Sequence, residues 1–190
     1  DGSSWSDLGT GMDGPVRSLA VSESNLYAGG LFSSAGGVYA PGIARWDGSN
    51  WWALGSGING QVFALAVMGT DIFAGGSFTI AGGLIANGIA KWDGSNWSTL
   101  STGISSLYLN PVCYALATVG SSLYAGGRFT HAGPMLANNI AKWDGSGWFV
   151  LGHTGGTSNF VYALIVNGND VYVGGNFFMA GGVIANGIAK

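Results

Sequence analysis

The sequence predicts an all-β fold, a β-propeller built from four four-stranded blades, and three observations carry that prediction. The phrase Ile-Ala-Lys/Arg-Trp-Asp-Gly-Ser-x-Trp runs complete from Ile43, Ile89 and Ile140, and its two parts stand at the chain ends, in Ile188–Lys190 and Asp1–Trp5. Cut at the Asp-Gly-Ser turn, the chain divides without remainder into repeats 1–46, 47–92, 93–143 and 144–190 of a single domain, 1–190. Segments of this length that cannot bury an apolar face alone, but can against a neighbour, are the mark of propellers and solenoids. Composition agrees, since 36 Gly, 13% aromatic and only 8% charged residues describe short strands and tight turns.

Within a repeat the elements follow in order. Gln61–Val67 is a nearly continuous run of apolar residues bounded by glycine, which predicts an inner strand buried on both faces. A turn over Met68–Asp71 leads to a second strand ending in Gly75-Gly76, and the equivalents end in Gly29-Gly30, Gly126-Gly127 and Gly174-Gly175. A longer loop, a third strand over Gly88–Trp92, a hairpin turn at Asp93–Asn96 and a fourth strand from Trp97 complete the blade.

The phase of the repeat bears on closure. The chain starts inside the turn between third and fourth strands, so Gly2–Leu8 is expected to supply the N-terminal strand closing the last blade, that of Phe160–Lys190. Such closure removes two sheet edges that invite aggregation. It gives either a four-bladed ring or an eight-bladed ring from two chains, a homodimer by strand exchange. A piece of a longer array is the third possibility.

A double glycine closing the second strand, an aromatic-Asp turn and then a Trp resemble the kelch repeat, and the whole phrase is similar to the kelch-like repeats of Rax2-type cell-surface proteins. The resemblance covers all four repeats, although Gly48, Gly94 and Gly145 stand where kelch has Pro, and Trp46, Trp92 and Trp143 where it has Tyr. It implies a propeller fold that hosts both enzymes and protein-binding modules.

Residues shared by the repeats read as structural. Trp5, Trp51, Trp97 and Trp148 are expected in the core, where burying one indole contributes on the order of 5 kcal/mol as an upper estimate. Trp46, Trp92 and Trp143 are read the same way. Asp47, Asp93 and Asp144, each followed by Gly-Ser, should cap their own turn amides, and no Asp-x-Asp-x-Asp loop makes them calcium ligands. The glycine pairs permit positive φ and close backbone approach. Arg45, Lys91, Lys142 and Lys190 are expected to form solvated ion pairs with the neighbouring turn Asp. Cys113, the only cysteine, stands where other repeats have Val16, Val62 and Val161 and reads as a small buried hydrophobe.

The inventory for catalysis is two His, one Cys, one Glu and eight Asp, with no His-x-x-x-His, Gly-x-Ser-x-Gly or paired-carboxylate pattern. The expectation is accordingly no enzyme, with no metal and no cofactor. Function should sit where the repeat is broken, because shared positions are explained by packing. A five-residue insertion over Gly103–Pro111 and a shorter one over His153–Asn159 are expected on one loop face around the axis. Tyr39, Tyr108, Arg128, His131, Met135, His153 and Phe178 join that face as candidate binding residues, and Arg17 replaces the aromatic found at Phe63, Tyr114 and Tyr162. Glu23, Asp71, Asp170 and the turn aspartates fall on the opposite face.

A net charge of −3 without a basic run speaks against nucleic acid and anionic membranes. No stretch is long and apolar enough for a spanning helix. Scarce Lys and Glu and the sequon Asn96-Trp97-Ser98 favour an extracellular or cell-surface setting. The expected function is a noncatalytic binding or scaffold propeller for a glycan, peptide or protein. The alternatives are a purely structural repeat of a larger surface protein and a kelch-like metal- or cofactor-dependent enzyme.

Overall fold

The computed structural model describes residues 2–153 and 155–190, so Asp1 and Thr154, the latter inside the insertion at 153–159, lie outside the described residues. All regular structure among the described residues is β. Three antiparallel four-stranded sheets follow one another, each with the chain order inner, second, third, outer. The first is Val16–Ser22, Asn25–Gly30, Ile43–Trp46 and Trp51–Ala53. The second is Gln61–Met68, Asp71–Ser77, Ile89–Trp92 and Trp97–Thr99. The third is Val112–Val119, Ser122–Arg128, Ile140–Trp143 and Trp148–Val150. A fourth sheet holds only Val161–Asn167, Asp170–Gly175 and Ile188–Ala189. Each outer strand comes from the repeat after the one that supplies its partners, as the phase of the Asp-Gly-Ser turn requires.

The double glycines explain how the sheets stack. A Cβ on Gly76 or Gly127 would strike the carbonyl oxygen of Gln61 or Val112 on the inner strand. A Cβ on Gly29 would lie 2.6 Å from Val62 of the next unit, and on Gly126 2.5 Å from Val161. Close approach is therefore what these pairs provide; none of them has the positive φ expected from the sequence. Val62, Cys113 and Val161 fill the opened space and are fully buried, and Leu65 N–H also donates to Ser18 Oγ across the gap at 2.9 Å.

Trp51, Trp97 and Trp148 lie in the core as expected, each indole N–H donating to the carbonyl of Leu8, Leu54 or Leu100 at 2.8, 2.8 and 3.0 Å. Their hairpin partners Trp46, Trp92 and Trp143 pack edge-on or tilted, with ring centroids 5.4–5.5 Å apart. Trp5 departs from the pattern. Residues 2–8 form no strand and Trp5 is fully exposed, so the chain does not close its own last blade. The arc of four units leaves the fourth sheet one strand short instead of bringing it back to the first.

The segment expected as a plain loop between second and third strands carries a small hairpin: Ser34–Ala35 with Val38–Tyr39, Ile80–Ala81 with Leu84–Ile85, His131–Ala132 with Met135–Leu136, and Met179–Ala180 with Val183–Ile184. Gly36-Gly37, with φ of 58° and 80°, makes the tight turn of the first one, which a residue with a Cβ adopts only under strain.

The turn aspartates behave as the sequence implied. Asp47 Oδ1 accepts from the Ser49 and Asn50 amides, and Asp93 and Asp144 repeat the arrangement. These amide bonds, led by those from Asn50, Asn96 and Ser146, hold the three carboxyls below the usual 3.8, and the Ser34 and Ser33 amides do the same for Asp13. A carboxyl whose folded pKa is depressed contributes stability above its unfolded value and loses it as pH falls through the folded one. Thermal stability is therefore expected to stay level from neutral pH down to about pH 5 and to drop below about pH 4, measured as melting temperature against pH.

The ion pairs differ from the expectation. Lys91 and Lys190 pair with Asp71 and Asp170, at 3.0 and 2.8 Å, the first residues of the second strands, and not with the hairpin Asp. Register is the reason: Lys91 lies opposite Phe73, within reach of the start of that strand. Arg45 instead stacks over Trp52, 5.9 Å from the ring centroid. Exposed pairs of this kind contribute under about 1 kcal/mol each.

Candidate loop-face binding site

Every inner strand has a bulge, and it sits at the same place in each repeat. The register slips between Val16 and Ser18, Val62 and Ala64, Cys113 and Ala115, and Val161 and Ala163. The unpaired residues are Arg17, Phe63, Tyr114 and Tyr162, and a bulge re-aims the side chain it releases. Phe63, Tyr114 and Tyr162 form a contiguous row, with centroids 5.5 Å apart at both steps. Phe160 extends the row at 6.5 Å from Tyr162. Arg17 occupies the fourth bulge at the first unit and is exposed.

The row ends in a cleft of about 390 Å³ between the third and fourth units. Tyr108 from the insertion, Arg128 from the end of the second strand, Asn138, Asn139, Thr157 and Phe160 line it. Arg128 Nε donates to the Asn110 carbonyl at 3.1 Å, and its guanidinium lies over Phe160, 5.9 Å from the centroid. The Asn110 bond and the Phe160 ring together hold the cation at the cleft wall. Tyr108 is largely exposed at the rim.

The insertion owes its shape to the neighbouring hairpin. Ile104–Ser105 pairs with His131–Ala132, making a three-stranded sheet where other units have a single bridge such as Ile58 to Ala81. Leu107 N–H then donates to Thr130 Oγ1 at 3.3 Å, and the same hydroxyl is 2.9 Å from His131 Nδ1. His131 thereby braces the base of the insertion and does not line the cleft.

Of the eight residues singled out from the sequence, the structure brings together two, Tyr108 and Arg128. Tyr39 and Met135 are exposed on the hairpins of two different units, Phe178 is exposed just before the hairpin of the fourth, and His153 is exposed beside the undescribed position. None of these four lines the cleft.

Asn139 was not anticipated. It stands where the other units have Gly42, Gly88 and Gly187, all at positive φ, and it keeps that conformation at 64°. Asn tolerates the left-handed region better than other side chains, at some cost over Gly. Its buried Nδ2 donates to the Thr157 carbonyl at 3.2 Å, tying the two walls of the cleft together. The Asn-Asn in place of Asn-Gly was the available signal.

Cys113 is fully buried, and burial pushes its thiol up to about 12, so it stays protonated at neutral pH. Among the described residues no three His, Cys, Asp or Glu side chains gather where they could hold a metal. A larger cavity of about 670 Å³ lies at the open edge of the fourth unit, lined by Leu151, Gly152, Val173, Gly181 and Ala189.

No family model and no curated protein matches the chain. Solved structures do. The computationally designed Ika4 protein superposes with a TM-score of 0.60 at 17% identity, over 90% of this chain and 92% of that one. The designed Ika8 protein gives 0.57 at 17% identity, over 90% of this chain but 46% of that one, so the chain spans about half the length of Ika8. A looser likeness, with a TM-score of 0.44 at 10% identity, is to the extracellular domain of a one-component system from B. thetaiotaomicron, of which the chain covers 26%. These likenesses show a shared all-β, propeller-like repeat fold. Among the described residues no helix is long and apolar enough to cross a membrane.

Proposed function

We propose that the protein is a noncatalytic binding module of kelch-like propeller type, its four units acting as blades, which recognises a glycan or peptide in the cleft between the third and fourth blades. One observation carries this reading: the cleft lies where the repeat is broken, by the insertion bearing Tyr108 and by Asn139 in place of glycine. The recurring indoles, glycine pairs and turn aspartates are used in packing and turn capping. What remains is an aromatic at the rim, a stacked cation and side-chain amides, which suit a polar ligand with a ring or acyl face and an acidic or hydroxyl-rich edge. A secreted or surface-displayed setting accords with the exposed turn holding Asn96, the acceptor of the sequon.

The test is a glycan and peptide array probed with the wild type, Arg128→Ala and Tyr108→Ala. Losing a charge-assisted hydrogen bond costs about 1.5–3 kcal/mol. Arg128→Ala should therefore weaken the best ligand at least about tenfold, and Tyr108→Ala should do so with an unchanged melting temperature. Equal binding by all three proteins would remove the cleft from consideration.

A further inference from the structure

The two ends of the arc carry the two halves of one interface. Inside the chain, the unit-to-unit contact is made three times: Val62 with Leu65, Cys113 with Leu116, and Val161 with Leu164 each press onto the first glycine of the preceding unit, Gly29, Gly75 and Gly126. At the start of the arc, Val16 and Leu19 are the same pair with nothing before them; Leu19 is 61% exposed where Leu65 is 9%. At its end, Gly174 is the same glycine with nothing after it, its nearest neighbour being Ala163 of its own sheet at 3.7 Å. Ile188, the counterpart of the buried Ile43, Ile89 and Ile140, is 68% exposed on that face.

A second pair of halves lies beside the first. Each buried indole sits against the glycine of its outer hairpin, Gly36, Gly82 or Gly133, and donates to a Leu carbonyl. The fourth unit has the same fittings without an indole: Leu151, Gly152, Gly181, Val173, Ala180 and Ala189 bound the 670 Å³ cavity. The indole without fittings is Trp5, fully exposed.

We infer that two copies of this chain close an eight-bladed ring, each seating its Val16 and Leu19 on the partner's Gly174 and its Trp5 in the partner's fourth-blade cavity, under the carbonyl of Leu151. A two-fold axis makes both junctions identical and leaves no free edge, which is the device that stops an open arc from polymerising. The occupant is a second copy because the surfaces continue, residue for residue, the junction the chain already makes with itself.

The experiment is the solution mass of the 190-residue chain by light scattering at several micromolar concentrations, for the wild type, Trp5→Ala, Leu19→Glu and Gly174→Leu. The wild type should give twice the chain mass of 19.3 kDa, and each variant should fall to the single-chain mass. Gly174 has open space above it and Trp5 is exposed, so both variants should keep the β spectrum of the wild type. A wild type of single-chain mass, a mass above two chains, or a dimer indifferent to both Trp5→Ala and Gly174→Leu would each overturn the two-chain ring.

Discussion

Trp97→Ala is expected to lower the unfolding free energy by about 3–5 kcal/mol, the range for emptying a large aromatic site in a packed core. The indole is buried among Leu54, Ala81, Ala86 and Ala90 in the cluster that joins the first two units, so its loss leaves a cavity that small alanine neighbours cannot fill. It also removes the indole N–H bond to the Leu54 carbonyl, which keeps only the Gly57 N–H, at 3.1 Å. Because a domain is stable by only about 5–15 kcal/mol, the variant should unfold at much lower denaturant. Trp52→Ala provides the contrast. That ring is half-exposed and bonded to Asp47 on the surface hairpin, and its removal should cost under about 1 kcal/mol. Urea midpoints of the two variants measure the difference; equal midpoints would show that the repeated Trp is not a core residue.

Gly76→Ala is expected to be as damaging as any single methyl can be, at least about 3 kcal/mol, against the roughly 1–3 kcal/mol of ordinary overpacking. The added Cβ meets the Gln61 carbonyl, a backbone atom held in the inner-strand ladder, and therefore something that cannot rotate away. The same substitution at Gly147, with no atom within 4 Å, should leave the melting temperature unchanged. Parallel thermal melts decide it, and a Gly76→Ala protein as stable as Gly147→Ala would remove close approach as the reason for the glycine pairs.

What could be read from the sequence follows from which interactions are local. The strands were legible because the Gly75-Gly76 closure and the Asp93-Gly94-Ser95 turn are encoded within a few residues, and repetition fixed their order. The small outer hairpins were legible in principle, since Ala35-Gly36-Gly37 is a tight-turn signal, but strands of two residues leave no periodicity. The aromatic recurring at Phe63, Tyr114 and Tyr162 was legible, but the bulges that turn it out into a row were not, because a slipped register depends on the partner strand. The Lys91 to Asp71 pair was misassigned for the same reason: the adjacent turn is near in sequence, and the neighbouring strand is nearer in space. In the cleft, Tyr108 and Arg128 stood out as departures from the repeat. Tyr39 and Phe178 are departures too, but separate units hold them apart.

The claim that function resides in the break of the repeat is tested most directly by removing the break. Replacing residues 104–111 with the shorter connection of the second unit, Ile58–Gly60, rebuilds a regular junction without Tyr108 or the Asn110 carbonyl that positions Arg128. Calorimetric titration with the best ligand from the array should then show binding by the wild type and none by the chimera, with both proteins melting at similar temperatures. Undiminished binding by the folded chimera would contradict the account.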